Sequence, residues 1–531
     1  MAISHWFDEF MERVLSRGLK HTVESGTSIS GPAHIGNACD VLYAEAVCRE
    51  VRLRGGEAIS IWVADDLDPL DSIPYPLPED ELKKYLGKPY INIPDPYRCC
   101  QSWAQHFTLE FVNSLERMGL EPIVKSGYSM YRDGTYLPYI RLSLREADKI
   151  KELLRRISGM HKPRAWLPYM PICANCGNIA TTLAYGYEGD KVLYGCELDV
   201  GYAKGCGYRG EVDVKLGQGK LQWRVEWAAR WSAFGVTVEP FGKEHAAAGG
   251  SYDTSSVIVR EVFKGEPPIP LIYEHVMING RKMSKSKGNI LTPRQWFEVA
   301  PPETLRFFFF RVYPAKHKDL RMNEVPRLVE EFERAERIYY GVDELVDEKV
   351  NVHLKRSYEL SIIGKPAPTL PIRLPYDLAV TLIQVYRDIT LEKVIDVLKR
   401  TGRLYRDLTA DEVEALKLRL RQAEAWLKKY APETVKFKLL DDVSRVKNLL
   451  TDKQKEALMK VASILKGGDW LPRELNTKFF EVSRSLGLPP PSFFEAAYLT
   501  LIGATSGPWL ANFVLALGKD FVAKRFEEAA S

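Results

Sequence analysis

The sequence predicts an α/β chain: a parallel-sheet domain, an inserted zinc-ribbon subdomain carrying cysteines, and an all-α C-terminal region. Three observations carry this reading. Residues 20–75 read as strand, turn, helix, strand, and the second strand is a near-continuous apolar run. Four of the eight cysteines gather between Cys173 and Cys206. Beyond about Asn323 the apolar residues recur at helical spacing. A length of 531 residues exceeds one ordinary core, so roughly two to four domains are expected.

The elements follow in order. Residues 21–25 are β-prone and stop at Gly26. Residues 37–54 have helical character and stop at Gly55-Gly56. Residues 58–63 read as a strand buried on both faces, ending at Asp65-Asp66-Leu67-Asp68. A strand–helix–strand unit implies a parallel sheet with a right-handed crossover, hence a Rossmann-like domain. Residues 69–96, rich in proline and acids, are expected as a surface excursion. Amphipathic helices are expected at 101–118 and 142–157. At 221–234, Trp223, Trp227 and Trp231 share one helix face, mostly core with at least one ring reaching a pocket. An α/β character resumes from Glu239 to about Val312. Helices are then expected at 325–340, 376–387, 391–399, 410–429, 444–465 and 473–486. The resulting division is a first half-domain at 1–96, an insertion at 97–220 with the ribbon at 168–213, a second half-domain at 221–322, and a helical domain at 323–531.

Composition narrows the class. Hydrophobic residues make up 45% and charged residues 27%, as in soluble globular proteins. A net charge of +4 neither demands nor excludes a nucleic-acid partner. The opening residues lack the basic-then-apolar order of a signal peptide. Residues 496–518 carry no charge, but Gly503 to Pro508 divides them, so two short buried helices are expected instead of a membrane span. The chain is read as cytoplasmic. Cys39, Cys48, Cys99 and Cys100 are expected to be small buried fillers.

Two segments about 250 residues apart carry the chemistry. In Ser30-Gly31-Pro32-Ala33-His34-Ile35-Gly36-Asn37, a Gly31-Pro32 turn precedes His34, and Gly36 lets a backbone approach a ligand closely. The helix that follows presents free N–H groups and a positive dipole end, which suits a polyphosphate. His34 there can hydrogen-bond phosphate oxygens as charge builds. In Lys282-Met283-Ser284-Lys285-Ser286-Lys287, lysines on a polar loop suit neutralisation of a departing pyrophosphate.

These two segments resemble the HIGH and KMSKS motifs of class I aminoacyl-tRNA synthetases. His34, Ile35 and Gly36 match the first three letters, and Asn37 stands where the second histidine usually is. The resemblance implies that Gly31, His34, Gly36, Asn37 and Lys285 hold ATP, with His34, Asn37, Lys282 and Lys285 catalytic. Further strings narrow the likeness to the lysyl type of class I: 219–231, 239–252, 64–69 and 166–171, with a weaker echo at 507–513. Ile29 departs from a usual proline, and Glu226 and Glu244 stand where aspartates are expected. The resemblance implies Gly26, Ser28, Trp223, His245 and Tyr273 as amino-acid contacts, and Gly242 and Glu244 at the ribose of an adenylate. A lysine pocket needs a carboxylate for the ammonium and aromatic walls for the stem. Asp65 and Glu226 are the candidates for that carboxylate, and the sequence leaves the choice open.

Cys173-x2-Cys176 followed by Gly177 has the spacing of a zinc knuckle, and Cys196 and Cys206 complete a four-thiolate set. Four thiolates leave no open position, so this Zn2+ is structural. In the tail, basic and aromatic residues interleave at Lys428-Lys429-Tyr430, Lys436-Phe437-Lys438 and Trp470 to Arg473. The resemblance implies an anticodon-binding role for this region. The expected reaction joins L-lysine to tRNA(Lys) with ATP and Mg2+, without a membrane partner. A glutamyl-type synthetase is the alternative, although an acidic substrate wants more arginine than the 223–273 region offers. A nucleotidyltransferase without tRNA needs no long helical tail. A non-catalytic zinc-ribbon RNA binder does not account for the lysine loop.

Overall fold

The computed structural model describes residues 4–386 and 388–531. They gather into two compact units. One runs to Gln295 and adds Leu305–Leu320 and Leu345–Lys365; the other comprises Trp296–Thr304, Arg321–Glu344 and Pro366–Ser531.

The first unit is built from β1 (Lys20–Ser28), α1 (Ile35–Leu53), β2 (Glu57–Asp65), α2 (Trp103–Arg117), β3 (Ile123–Ser126), α3 (Trp223–Phe234), β4 (Val238–Gly242) and β5 (Ile269–Tyr273). The strands form one parallel sheet in the order β5-β4-β1-β2-β3. β1 and β2 pair in register from Lys20 opposite Glu57 to Ser28 opposite Asp65. β1 meets β4 at Val23 opposite Val238. Strand order reverses between these two, and that is where an open α/β sheet leaves a crevice beyond its carboxyl ends.

The burial pattern explains why these segments take these forms. α1 is buried along most of its length, from Ile35 to Val51, because it crosses over the sheet. In β2, Ile61, Trp62 and Val63 are buried but Ile59 is exposed, so burial on both faces holds only for the carboxyl half. On α3, Trp223, Trp227 and Trp231 stack along one face, with centroids 5.1 and 4.8 Å apart. Trp227 and Trp231 are core, as the spacing predicts.

Three expectations need adjustment. The 69–96 segment is not wholly a surface excursion, since Leu70, Leu82, Tyr90 and Ile93 are buried and Tyr90 stacks on Trp103. The helix expected at 142–157 is two helices, Leu137–Arg145 and Ala147–Ser158, that meet at Glu146. The helix expected at 444–465 is also two, Ser444–Lys447 and Asp452–Lys466, because Thr451 and Gln454 form a capping box that starts a new helix.

Between α2 and α3, residues 168–213 contain a three-stranded antiparallel sheet, Thr182–Glu188, Lys191–Cys196 and Arg209–Asp213. A short ladder of Tyr169–Pro171 with Gly219–Leu221 closes its base. The second unit is helical. Pro490–Ile502 and Leu510–Leu517 are the two short helices expected in the charge-free stretch. Phe479, Phe493, Phe513 and Phe526 lie in its core. Lys519–Ala530 in this unit, and Glu348–Ser361 in the first, are helices that periodicity alone does not reveal. Among the described residues no helix is long and apolar enough to cross a membrane.

Candidate functional site

A cavity of about 260 Å³ opens where the strand order reverses. Gly26, Thr27 and Ser28 at the end of β1 form one side. Gly242, Glu244 and His245, at and beyond the end of β4, form another, with Tyr273 of β5 beside them. His34, Gly36 and Asn37 enter from the start of α1, Trp223 from α3, and Lys282 and Met283 from the downstream loop.

The first turn of α1 is organised by its own cap. His34 is the N-cap, and its Nδ1 accepts the Gly36 N–H at 3.1 Å. Asn37 Oδ1 accepts the His34 N–H at 3.0 Å. Because Nδ1 is an acceptor, Nε2 carries the ring proton. Burial, reinforced by the Lys285 charge, pushes the imidazole down to about 3, so His34 is a neutral donor at ordinary pH. A Cβ on Gly36 would lie 2.9 Å from the His34 ring, so only glycine fits beneath it.

The lysine loop reaches the same place. Lys285 Nζ donates to Ser30 Oγ at 2.9 Å and to the Gly31 carbonyl at 3.4 Å. Burial pushes this ammonium down to about 8. Gly31 has φ of +145°, and a Cβ there would lie 2.8 Å from Pro74. Asn289 clasps the loop: its Oδ1 accepts the Ser284 N–H at 3.0 Å, and its Nδ2 donates to the Lys282 carbonyl at 2.8 Å. Lys282 Nζ sits 3.2 Å from His275 Nε2, and His275 Nδ1 lies 3.6 Å from Glu244.

Asp65 and Glu226 do not reach the cavity. Asp65 is bound to Arg230, which also lies 3.4 Å from Glu24 and donates to Tyr136 at 3.2 Å. Burial works against the Arg230 charge, but Asp65, Tyr136 and Glu24 hold it well above its ordinary value. Glu226 pairs with Lys220 at 2.7 Å and accepts from Tyr131 at 2.9 Å; Lys220 also binds Asp68. Each carboxylate is thus already neutralised by a buried cation. The carboxyls that do face the cavity are Asp40, Glu239 and Glu244. Glu239 accepts from the indoles of Trp227 at 2.6 Å and Trp231, and burial pushes its carboxyl well up. Tyr273 donates to Asp40, whose carboxyl is likewise raised by burial. Trp223, Trp227, Phe241 and His245 supply aromatic walls, with His245 centroids 6.1 and 5.4 Å from the first two.

Away from this cavity, the four cysteines come together. Their sulfurs lie within 4.8 Å of one another, with Cys173–Cys206 and Cys176–Cys196 both at 3.7 Å. A tetrahedral ion with metal–sulfur bonds of about 2.3 Å places its ligands ~3.8 Å apart, so the set fits one. Gly177 donates to the Cys173 carbonyl at 2.9 Å, forming the turn of the knuckle. The Asn175 amide and the Tyr208 N–H hold the Cys206 thiol down to about 6.

Residues 4–363 match the family described as tRNA synthetases class I (K). The chain is 40% identical to the lysine–tRNA ligase of Methanosphaera stadtmanae, covering 98% of this chain and 99% of that one. It is 36% identical to the ligase of the same name from Archaeoglobus fulgidus, covering 99% and 100%. The chain belongs to the class I (K) tRNA synthetases. The Methanocaldococcus jannaschii lysine–tRNA ligase, 36% identical over 98% of this chain and 99% of its own, extends the match through the helical unit of the synthetase.

Arg230 sets the synthetase's cavity wall, and its removal leaves Glu24 and Asp65 buried without a cation. We expect Arg230→Met to cost about 3–5 kcal/mol of stability, read by chemical denaturation.

Proposed function

We propose that this chain activates L-lysine with ATP and transfers it to tRNA(Lys). The observation that carries this is the meeting of Lys285 with Ser30 and Gly31 beside the capped start of α1. A triphosphate lying over that helix end meets backbone N–H groups, the His34 Nε2 proton, the Asn37 amide and the Lys285 ammonium together. The lysine carboxylate attacks the α-phosphorus, the bond to the β,γ-phosphates breaks, and pyrophosphate leaves with the charge that Lys285 neutralises. Mg2+ bound with ATP would supply further neutralisation of the phosphate charge. A terminal ribose hydroxyl of tRNA then attacks the adenylate carbonyl and AMP departs. No side chain becomes a nucleophile, so positioning and charge do the catalysis.

Gly242 and Glu244, beside the lysine loop, take the ribose side. Gly26, Ser28, Trp223, His245 and Tyr273 frame the amino acid. The substrate ammonium is assigned to Glu239, between the Trp223–Trp227 stack and the sheet. A raised buried carboxyl among indoles gains most by meeting a cation, which restores its charge. An acidic substrate finds no free guanidinium, because the cavity's arginine, Arg230, is committed to Glu24 and Asp65. The thiolate set holds one structural Zn2+, and the helical unit takes the anticodon stem of tRNA. The setting is the cytoplasm, where thiols stay reduced.

Lys285→Ala is expected to lower lysine-dependent pyrophosphate exchange into ATP by orders of magnitude with lysine affinity little changed; an unaltered exchange rate refutes the assignment. Glu239→Gln should raise the KM for lysine at least about thirtyfold, from the roughly 2 kcal/mol or more lost with one side of a buried charge contact, while the KM for ATP holds. The lowered Lys285 also sets a pH signature. Above about pH 8 the free protein carries it neutral, and a bound triphosphate restores its charge. ATP binding at pH 8.5 should therefore take up a proton, with little uptake at pH 7. Calorimetry in two buffers of different ionisation enthalpy reads this, and Lys285→Met should abolish it.

A further inference from the structure

We propose that His275 is a positioning residue that couples capture of the nucleotide ribose by Glu244 to the placement of Lys282. The inference rests on the assignment of Glu244 to the ribose and extends it to the regulation of the same site. His275, Glu244 and Lys282 all line the cavity. Lys282 Nζ lies 3.2 Å from His275 Nε2. An ammonium only donates, so Nε2 accepts and the ring proton sits on Nδ1. Nδ1 lies 3.6 Å from Glu244 Oε2, so that N–H faces the carboxylate. Carboxylate, imidazole and ammonium thus form a line from the ribose side of the cavity to the lysine loop.

The fold builds each link. Val276–Ile278 and Arg281–Lys282 pair as an antiparallel hairpin, with Met277 opposite Lys282. Asn279 at φ +49° and Gly280 at φ +74° make its two-residue turn, and Gly280 donates its N–H to Asp319 at 2.8 Å. His275 stands two residues before Met277, which sets it diagonal to Lys282 across the hairpin. Glu274 fixes the histidine from behind: its carboxylate accepts the His275 N–H at 2.9 Å and binds Lys243 at 2.6 Å. Lys243 and Glu244 follow the end of β4, so the same ion pair brings Glu244 beside the ring. Gly242 leaves room for this, because a Cβ there would lie 2.6 Å from Glu244 Oε2. The Glu244 side chain stays 53% exposed against 24% for His275, so the carboxylate keeps an open face for a ligand hydroxyl.

Electrostatics give the line a direction. A carboxylate facing one imidazole N–H raises the basicity of the other nitrogen. Without nucleotide, Glu244 therefore strengthens Nε2 as an acceptor and keeps Lys282 on it. Among the described residues, His275 is the one side-chain acceptor of the Lys282 ammonium. A ribose hydroxyl donating to Glu244 draws the carboxylate's charge away from Nδ1, weakens Nε2 and frees Lys282 for the phosphates. Lys285 has no such tie, because Ser30 and the Gly31 carbonyl hold it. Of these two lysines, Lys282 is the one that answers to the ribose.

Lysine-dependent pyrophosphate exchange by the full chain, with ATP, 2′-deoxy-ATP and 3′-deoxy-ATP, tests this. In the wild type, loss of the hydroxyl that Glu244 binds is expected to raise the nucleotide KM and to lower the maximal rate at least about fivefold, the low end of coupling between two sites. In His275→Phe the KM effect should remain and the rate effect should vanish. A wild-type maximal rate that neither deoxynucleotide lowers overturns the inference, as does a rate effect that His275→Phe leaves intact. Should His275→Phe not fold, Lys282→Met decides by the same comparison: ATP and the deoxynucleotide should then share one maximal rate, and a difference as large as the wild type's overturns the inference. Failure of the activation reading is distinct, because it shows as no lysine-dependent exchange with ATP itself in the wild type, and it takes this inference with it.

Discussion

The cavity depends on one buried guanidinium. Arg230 projects from α3 between Glu24 of β1 and Asp65 of β2, and its Nε is held by Tyr136. Two carboxylates and one cation are costly to bury separately, and together they fix a helix against the edges of two strands. The tryptophan stack rides on the same helix, so its position follows from the same contact. Glu239 then completes the join by binding two of the indoles from β4. The wall of the cavity is thus a consequence of charge neutralisation beneath it.

The opposite wall is set by backbone geometry. His34 spends its Nδ1 on the helix cap, which leaves its remaining N–H aimed outward and its ring neutral. Gly36 clears the space under that ring, and Gly31 turns the chain so that a carbonyl meets Lys285. Cap, turn and lysine are three local features, yet they converge because the parallel strands end at one edge of the sheet.

This division explains what the sequence makes legible. β1, α1 and β2 are readable because their signals are contiguous: a β-prone run, a cap, an apolar run. His34 and Lys285 are readable because each sits in a short string with its own chemistry. Asp65 and Glu226 mislead because their cations, Arg230 and Lys220, are placed by the fold; Asp65 and Arg230 are 165 residues apart. Glu239 carries no signal of its own in the sequence, because the fold brings to it the indoles of Trp227 and Trp231. Cys99 and Cys100 are not buried fillers: the first is exposed and the second intermediate, since they close a loop on α2. In the tail, Lys429 is bound to Glu298 and Lys436 lies 2.7 Å from Glu433, so those lysines already have partners within the helical unit.

The Asn289 clasp has a mechanical meaning. One amide ties Lys282 and Ser284 to the far end of the 282–289 loop, which closes the segment on itself. The spacing of its lysines is thereby set inside the loop itself, independently of the elements that flank it.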